Sequence, residues 1–412
     1  MLDEYHGGFY GGYQPAGKNP EPGRHANQLN GMSISVCLFA NAIGFPEGGG
    51  LIWEYLNWAL GFRALGCQVI WLEALDSGLP LQAGQAAIAA LKSRLERYGL
   101  SDSIAICSRT GDEIPSYDMA GCLNLETALD ADLLVNMGYK IHLDLVRRFR
   151  RSIFVDVDPG LTQIWMSDGG GLHVAPHHLY FTTGETVGQT GSLFPNLGLE
   201  WHYTAPCVAL DWWPPCSACA PAAAFTTVSQ WYADEWVQYR GELYSNNKRQ
   251  GFLPFLDLPR HTSYPLELAL CLADNGVDDT ERAMLRGRGW RLREAYAVSS
   301  TPWEYQEYIQ NSLGEFSCAK PSCVRLQNAW VSDRTICYLA SGRPAIVQHT
   351  GPSQFLPDAA GLFRFSNLRE AICFLDVVMT DYDRQCKLAR CLAVEFFDAK
   401  KNLKRVLEAA VV

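Results

Sequence analysis

Short β-branched and apolar runs recur along this chain, each followed by a stretch with helical periodicity, and prolines interrupt the series once. That alternation is the strongest constraint on the fold. Strands separated by helices pair in parallel, and a parallel sheet has to be covered on both faces. The first series opens with SISVCLFAN (Ser33–Asn41) and a glycine-rich turn (Ala42–Gly50). A helix follows in which Leu51, Tyr55, Leu56, Ala59 and Phe62 recur at helical spacing before Gly66 stops it. QVIWLEAL, a helix over Gln82–Tyr98, SIAICS, DLLVNMG, a short helix over Leu143–Arg150, SIFVDVD and LYFTTG continue the pattern.

Between Trp212 and Ala223 the texture changes to prolines and small residues without periodicity, which marks a linker. A second series then runs through AFTTVSQWY, ELALCLAD, the helix TPWEYQEYIQNSL, GEFSCAK, the segment Trp330–Gly351 and a helix over Leu368–Met379. It ends in amphipathic helix with a break at Phe397–Asp398. At 412 residues the chain is long for one core. The division predicts a mobile tail over 1–31, an α/β domain over 32–213, a second over 214–385, and terminal helices over 386–412. Two such domains leave a cleft between the carboxyl ends of their sheets, where open α/β sheets bind ligands.

Composition removes several function classes. No apolar run approaches the ~20 residues of a membrane span. The amino-terminal segment lacks a basic-then-apolar leader, so it predicts a cytoplasmic protein. Its aromatic residues Tyr5, Phe9, Tyr10 and Tyr13 are candidates to touch a ligand. The net charge of −10 argues against a broad nucleic-acid surface. The 14 cysteines are scattered through apolar segments, as expected of buried thiols in a reducing compartment. Cys216 and Cys219 form one CxxC with no second pair, a weak metal signal. No metal site is expected.

The chemistry concentrates at Trp330–Gly351. Ser332 or Asp333 caps a helix whose buried stripe is Ile336, Leu339 and Ala340, and Gly342 and Pro344 end it. A helix amino end offers unpaired N–H groups and positive potential, and Arg334 adds a fork of donors matched to phosphate oxygens. After the strand AIVQ, the Thr350–Gly351 turn returns to the same sheet edge. Ordinary capping explains the Ser-Asp pair equally well.

The string Ala340-Ser341-Gly342-Arg343-Pro344 followed by AIV, with Thr350-Gly351, Leu356-Pro357 and Gly361–Phe365, resembles the donor half of nucleotide-sugar glycosyltransferases. The match is to the GT-B fold, family 1/family 4 type, and to a bacterial family 1-like group. The resemblance implies two Rossmann-like domains facing a central cleft, with the C-terminal helix crossing back to the first domain. It implies sugar transfer from a nucleoside diphosphate donor to an acceptor on the first domain, without metal or cofactor. By the same resemblance, Lys248 (with Arg249 second), Lys320, Ser332, Asp333 and Arg334 face the diphosphate. Glu315 reaches a hydroxyl of sugar or ribose, and Thr350 and Gly351 contact the sugar. Removing the Arg334 side chain is then expected to cost turnover more than stability. Two positions depart from the family. Cys337 stands where relatives carry a ribose-binding glutamate, and Ala329 where they carry an acid or histidine.

On the acceptor side, Gly48, Gly49 and Gly50 allow close approach of backbone to a ligand. Glu47 in the same loop and Asp158 in DVDPG are the candidate bases. His177, His178 and Glu185 lie at the same edge, Glu185 as a helix cap. An epimerase on the same fold and a non-catalytic sugar-nucleotide-binding protein are the rival expectations.

Overall fold

The computed structural model describes residues 34–110, 121–167, 171–216, 223–233, 236–273, 275–356 and 360–411. The tail with Tyr5, Phe9, Tyr10 and Tyr13, together with Cys219 and Pro357, lies outside them.

Both alternating series form parallel sheets. The first contains β1 (Ser35–Phe39), β2 (Gln68–Leu75), β3 (Ile104–Ser108), β4 (Leu133–Asn136), β5 (Ser152–Asp156), β6 (Leu179–Thr182) and β7 (Trp201–Tyr203). Its order is β3-β2-β1-β4-β5-β6-β7, every pair parallel. The second series starts with β8 (Phe225–Gln230) and an antiparallel hairpin of β9 (Trp236–Tyr239) and β10 (Glu242–Ser245). Then come β11 (Leu266–Cys271), β12 (Arg291–Glu294), β13 (Gly314–Ser317), β14 (Ala345–Gln348) and β15 (Leu362–Phe365). Their order is β12-β11-β8-β13-β14-β15, again parallel apart from the hairpin. Strand order therefore reverses beside β1 in one sheet and beside β8 in the other. Each reversal opens a crevice at the strands' carboxyl ends.

One apolar core runs through both halves. It joins Trp53 and Leu56 of the Gly49–Ala64 helix to Trp213, Tyr305, Ile336 and Leu403. Trp53 donates from Nε1 to the Pro302 carbonyl at 2.7 Å and lies 4.7 Å from the Trp213 ring. Trp213 opens the proline-rich segment and is fully buried. That segment starts pinned to the core, and Cys216 N–H donates to Ser341 O at 3.0 Å. The hairpin adds a second bridge. Tyr239 and Tyr244 pack with Leu161 and Ile164 of the first half.

At the carboxyl terminus, the Tyr382–Leu392 helix passes into a π-helical turn (Ala393–Phe397) and breaks at Asp398 before the Ala399–Val411 helix. The break is where the sequence predicts it. Val208 N–H donates to Phe397 O, and Ala399 N–H donates to Val208 O. Leu403 and Ala399 crowd Gly61 of the first helix, so the terminal helix does cross back onto the first half. One expectation is corrected here: among the described residues no helix lies between β6 and β7. Glu185 instead accepts from Ser353 Oγ at 2.6 Å and Gln354 N–H at 2.5 Å, tying the halves together.

Candidate active site

A cavity of about 640 Å³ lies between the halves at the crevice. Glu47 and Gly48–Gly50 form one wall; Val228–Gln230 at the end of β8, Tyr296, Asp333 and Arg334 form another. This volume is in the usual range for a small-molecule site, roughly 300–1,000 Å³.

The glycine-rich wall is held from below. Glu73 on β2 is fully buried and accepts Ala42 N–H with both oxygens, at 3.0 and 3.1 Å. It also accepts Trp71 Nε1–H at 2.9 Å. Burial pushes the Glu73 carboxyl up to about 6, against the pull of these hydrogen bonds. Arg94 donates to Phe45 O at 2.9 Å. The glycines themselves serve the contact between halves. A Cβ on Gly49 would come within 2.2 Å of Thr301 O, and one on Gly50 within 2.8 Å of the Tyr305 ring. Glu47 stands exposed near the loop's tip.

Opposite, the Asp333–Ala340 helix begins at Ser332, whose Oγ accepts Arg334 N–H at 3.2 Å and donates to Asp333 Oδ1 at 3.1 Å. This helix is buried all round from Thr335 to Ala340, not along one stripe, because it lies between its own sheet and the first half. Arg334 turns two donors inward. Nε meets Glu315 Oε1 at 2.8 Å and Nη1 meets Val228 O at 3.0 Å. Glu315 is fully buried, and its Oε2 has no hydrogen-bond partner. Burial works against the charge on Arg334, but the Glu315 carboxylate, with smaller help from Tyr305 and Tyr338, outweighs it and holds the guanidinium above its ordinary pKa.

Lys248 begins a short helix (Lys248–Phe252) capped by Asn247. Its Nζ donates to Cys318 O at 2.7 Å and sits 6.0 Å from the Trp330 ring centre. No carboxylate pairs with it among the described residues. Burial first, and then the charges of Arg334 and Lys320, lower its pKa to about 7. Lys320 reaches across the crevice to Asp158 Oδ1 at 2.8 Å. Asp158 follows a turn built on Asp156, a fully buried carboxylate that accepts from Gln163, Thr182 and Asp158 N–H. Burial raises Asp156 to about 6.

Of the expected residues, Asp333 and Arg334 line the cavity opposite Glu47 and Gly48–Gly50; Glu315 and Ser332 bond to these two, and Lys248, Lys320 and Asp158 form a neighbouring group that does not line it. Thr350 and Gly351 adjoin the crevice but are tied to backbone. Thr350 Oγ1 donates to Trp330 O at 2.7 Å and is 3% exposed. Gly351 adopts φ 138°, and a Cβ there would lie 2.6 Å from Gln327 O. His177 is buried with Nδ1 2.5 Å from Ala175 O, and burial lowers its pKa to about 4. His178 Nδ1 accepts Ser152 N–H at 3.1 Å.

Glu54 is a residue that sequence reasoning missed. It projects from the first helix into a small gap shared with Trp330 and Asp333. Burial raises its carboxyl well above the ordinary range; Asp333 and Asp158 add to the shift and Lys320 opposes it. The signal was available: it is the one carboxylate or basic side chain between Glu47 and Arg63. The two family departures are also explained locally. Cys337 is 1% exposed and faces Asn57 Nδ2 at 3.9 Å, so that position seals the two halves. Ala329 is buried in a left-handed conformation (φ 56°), its N–H donating to Thr350 O. Among the described residues, no three of His, Cys, Asp and Glu are grouped to hold a metal ion.

Solved structures of low sequence identity share the architecture. The Anabaena protein HepE in complex with UDP and glucose is 10% identical, with TM-score 0.54 over 91% of this chain and 99% of that one. An alpha-glucosyltransferase in complex with UDP is 12% identical, with TM-score 0.56 over 92% of this chain and 99% of that one. Sucrose-phosphate synthase from Thermosynechococcus elongatus is 10% identical, with TM-score 0.51 over 91% and 98%. What they share with this chain is the fold, the GT-B arrangement of two Rossmann-like domains. No protein-family model matches the sequence, and no curated protein matches it.

Proposed function

We infer that the protein transfers a sugar from a nucleoside diphosphate sugar to an acceptor hydroxyl, with the donor diphosphate held at the second domain's side of the crevice. One observation carries this reading. Lys248 is held without a carboxylate among the described residues, beside Arg334 and Lys320, which are paired with Glu315 and Asp158, at the mouth of a capped helix. A buried ammonium without an anionic partner is unfavourable unless an anion joins it. A diphosphate fits that requirement, and the UDP complexes of the structural neighbours support it.

In the proposed reaction the bond between the donor's anomeric carbon and the diphosphate oxygen breaks. The acceptor oxygen forms the new bond to that carbon. Negative charge grows on the departing diphosphate, where Lys248, Lys320 and the helix amino end stabilise it. Asp158, at the crevice beside Lys320, is the proposed acceptor of the hydroxyl proton; Glu47 is the other candidate. With Lys248, Lys320 and the helix amino end supplying the positive charge, the reaction is proposed to need no divalent metal and no cofactor. The glycine-loop wall on the first domain, exposed at Gly44–Glu47, is the proposed place for the acceptor's reacting end.

A nucleotide-sugar-binding protein that performs no transfer is the second reading. It is favoured by Cys337, which leaves no acid at the ribose position of relatives and is sealed against Asn57. Incubation with UDP-glucose and other nucleotide sugars, with and without a glycan panel, separates the readings. The transferase reading predicts nucleotide release that depends on an acceptor. Saturable donor binding with no release supports the second reading, and acceptor-free interconversion of donors supports an epimerase.

A further inference from the structure

A second cavity of about 580 Å³ lies away from the crevice, at the outer edge of the first sheet. Its walls come from three places: the end of edge strand β7, the Ser353–Leu356 loop of the second half, and the crossing segment that includes Phe396, Lys401 and Arg405. Tyr203 and Phe355 set their rings parallel, 5.9 Å between centres and 5° between planes. Both are large apolar groups left open, 36% and 53% exposed. On the floor, His202 packs on Phe181 with 5.4 Å between ring centres. Lys401 Nζ donates to Val394 O at 2.8 Å, and Arg405 has no ion-pair partner among the described residues. Glu395 is the acid of the lining, so two permanent cations face one carboxylate.

Flat aromatic faces left in solvent beside a guanidinium without an ion-pair partner among the described residues suit a ligand with both an apolar face and an anionic group. A sugar ring presents C–H groups on one face. A carboxylate or sulfate on it would meet the planar guanidinium fork. The cavity's size is that of a small-molecule site. Its position adds length. β7 stands three strands beyond β4, and at ~4.8 Å per strand that is about 14 Å from the sheet's reversal point. A single sugar bound here lies too far away to react in the crevice, whereas a chain of several rings spans the gap. The Ser353–Leu356 loop physically joins the two places, since it continues from Thr350–Gly351 and is fastened by Glu185.

We propose that this cavity is a docking site for an anionic oligosaccharide, holding the part of the acceptor that does not react. That the acceptor is what docks here rests on the transferase reading; the binding itself does not. The test is calorimetric titration of the full chain with galacturonic-acid hexamer and with maltohexaose as the neutral chain of equal length, alongside UDP. The proposal predicts saturable binding of the charged hexamer and at least tenfold weaker binding of the neutral one. Arg405→Ala and Phe355→Ala, both at exposed positions, are each expected to weaken the charged hexamer at least tenfold and to leave UDP affinity unchanged. No saturable binding of the charged hexamer, equal binding of the neutral chain, or full binding in both variants overturns it. Loss of UDP binding in the wild-type protein, with the hexamer still bound, would count against the transferase reading and not against this site.

Discussion

Gly49→Ala separates two meanings of the glycine-rich loop. If the glycines exist for a ligand, one added methyl at position 49 affects binding and spares the fold. The structure predicts the reverse. The new Cβ would meet the Thr301 carbonyl oxygen at 2.2 Å and the Ser299 carbonyl oxygen at 2.5 Å, whereas ordinary contacts begin at 3.4 Å. Both obstacles are backbone of the other half, so relief requires moving the halves apart by more than 1 Å. Overpacking of this kind costs about 1–3 kcal/mol. With backbone on both sides the upper end applies, about 3 kcal/mol. Gly44 in the same loop is the control, since a Cβ there meets nothing within 4 Å. Gly44→Ala is expected to stay within about 0.5 kcal/mol of wild type. Urea unfolding followed by tryptophan fluorescence reads the effect directly, because Trp53 and Trp213 lie at the seam. A Gly49→Ala protein as stable as wild type, or one no worse than Gly44→Ala, refutes the close-packing argument.

Further outcomes follow from the same geometry. Glu315→Gln removes the charge facing Arg334 inside the protein and should cost about 3–5 kcal/mol of unfolding free energy in the same urea assay. A loss under 1 kcal/mol would show the pair is not needed. Arg334→Ala should cost stability comparably, reversing the sequence-based expectation that turnover suffers most, since it strands a buried carboxylate. For Lys248, a pKa of about 7 means the free protein holds this proton only below that pH, while an unfolded lysine keeps it to higher pH. The group therefore adds stability as pH rises from about 7 towards the ordinary lysine value. A bound diphosphate favours the charged form, so UDP affinity should fall by up to about tenfold per pH unit above 7. Calorimetry in two buffers of different ionisation enthalpy should show proton uptake on binding at pH 8. Pre-treatment with EDTA should leave any acceptor-dependent nucleotide release unchanged; abolished release would contradict the metal-free reading.

Much of the architecture was legible because the pattern is local. QVIWLEAL is apolar enough to be a central strand, and it is β2 to the residue. The Phe397–Asp398 break was visible as an acid interrupting an apolar run. Shorter or more exposed pieces gave no such signal. β7 has three residues, and the β9–β10 hairpin sits in what reads as a polar loop between TTVSQW and Lys248. The Gly276–Gly287 helix, capped by Asn275, and β12 were also missed, both lying at the sheet's outer edge. At the site, residue types were readable but their pairings were not. Arg334 and Glu315 are 19 positions apart, and Asp158 and Lys320 are 162 apart, so only the folded sheets bring them together. Glu54 was hidden because its helix is apolar on every side, packed between its own sheet, the second half and the terminal helix.

The central claim is that Lys248 and its cationic neighbours form a pyrophosphate-binding place in the crevice. Titration of UDP into wild type and Lys248→Met at pH 6.5 tests it most directly, with unfolding curves to show that both are folded. The account predicts saturable binding to wild type and at least tenfold weaker binding to the variant. Equal affinity in the two proteins, or no UDP binding to folded wild type, contradicts it.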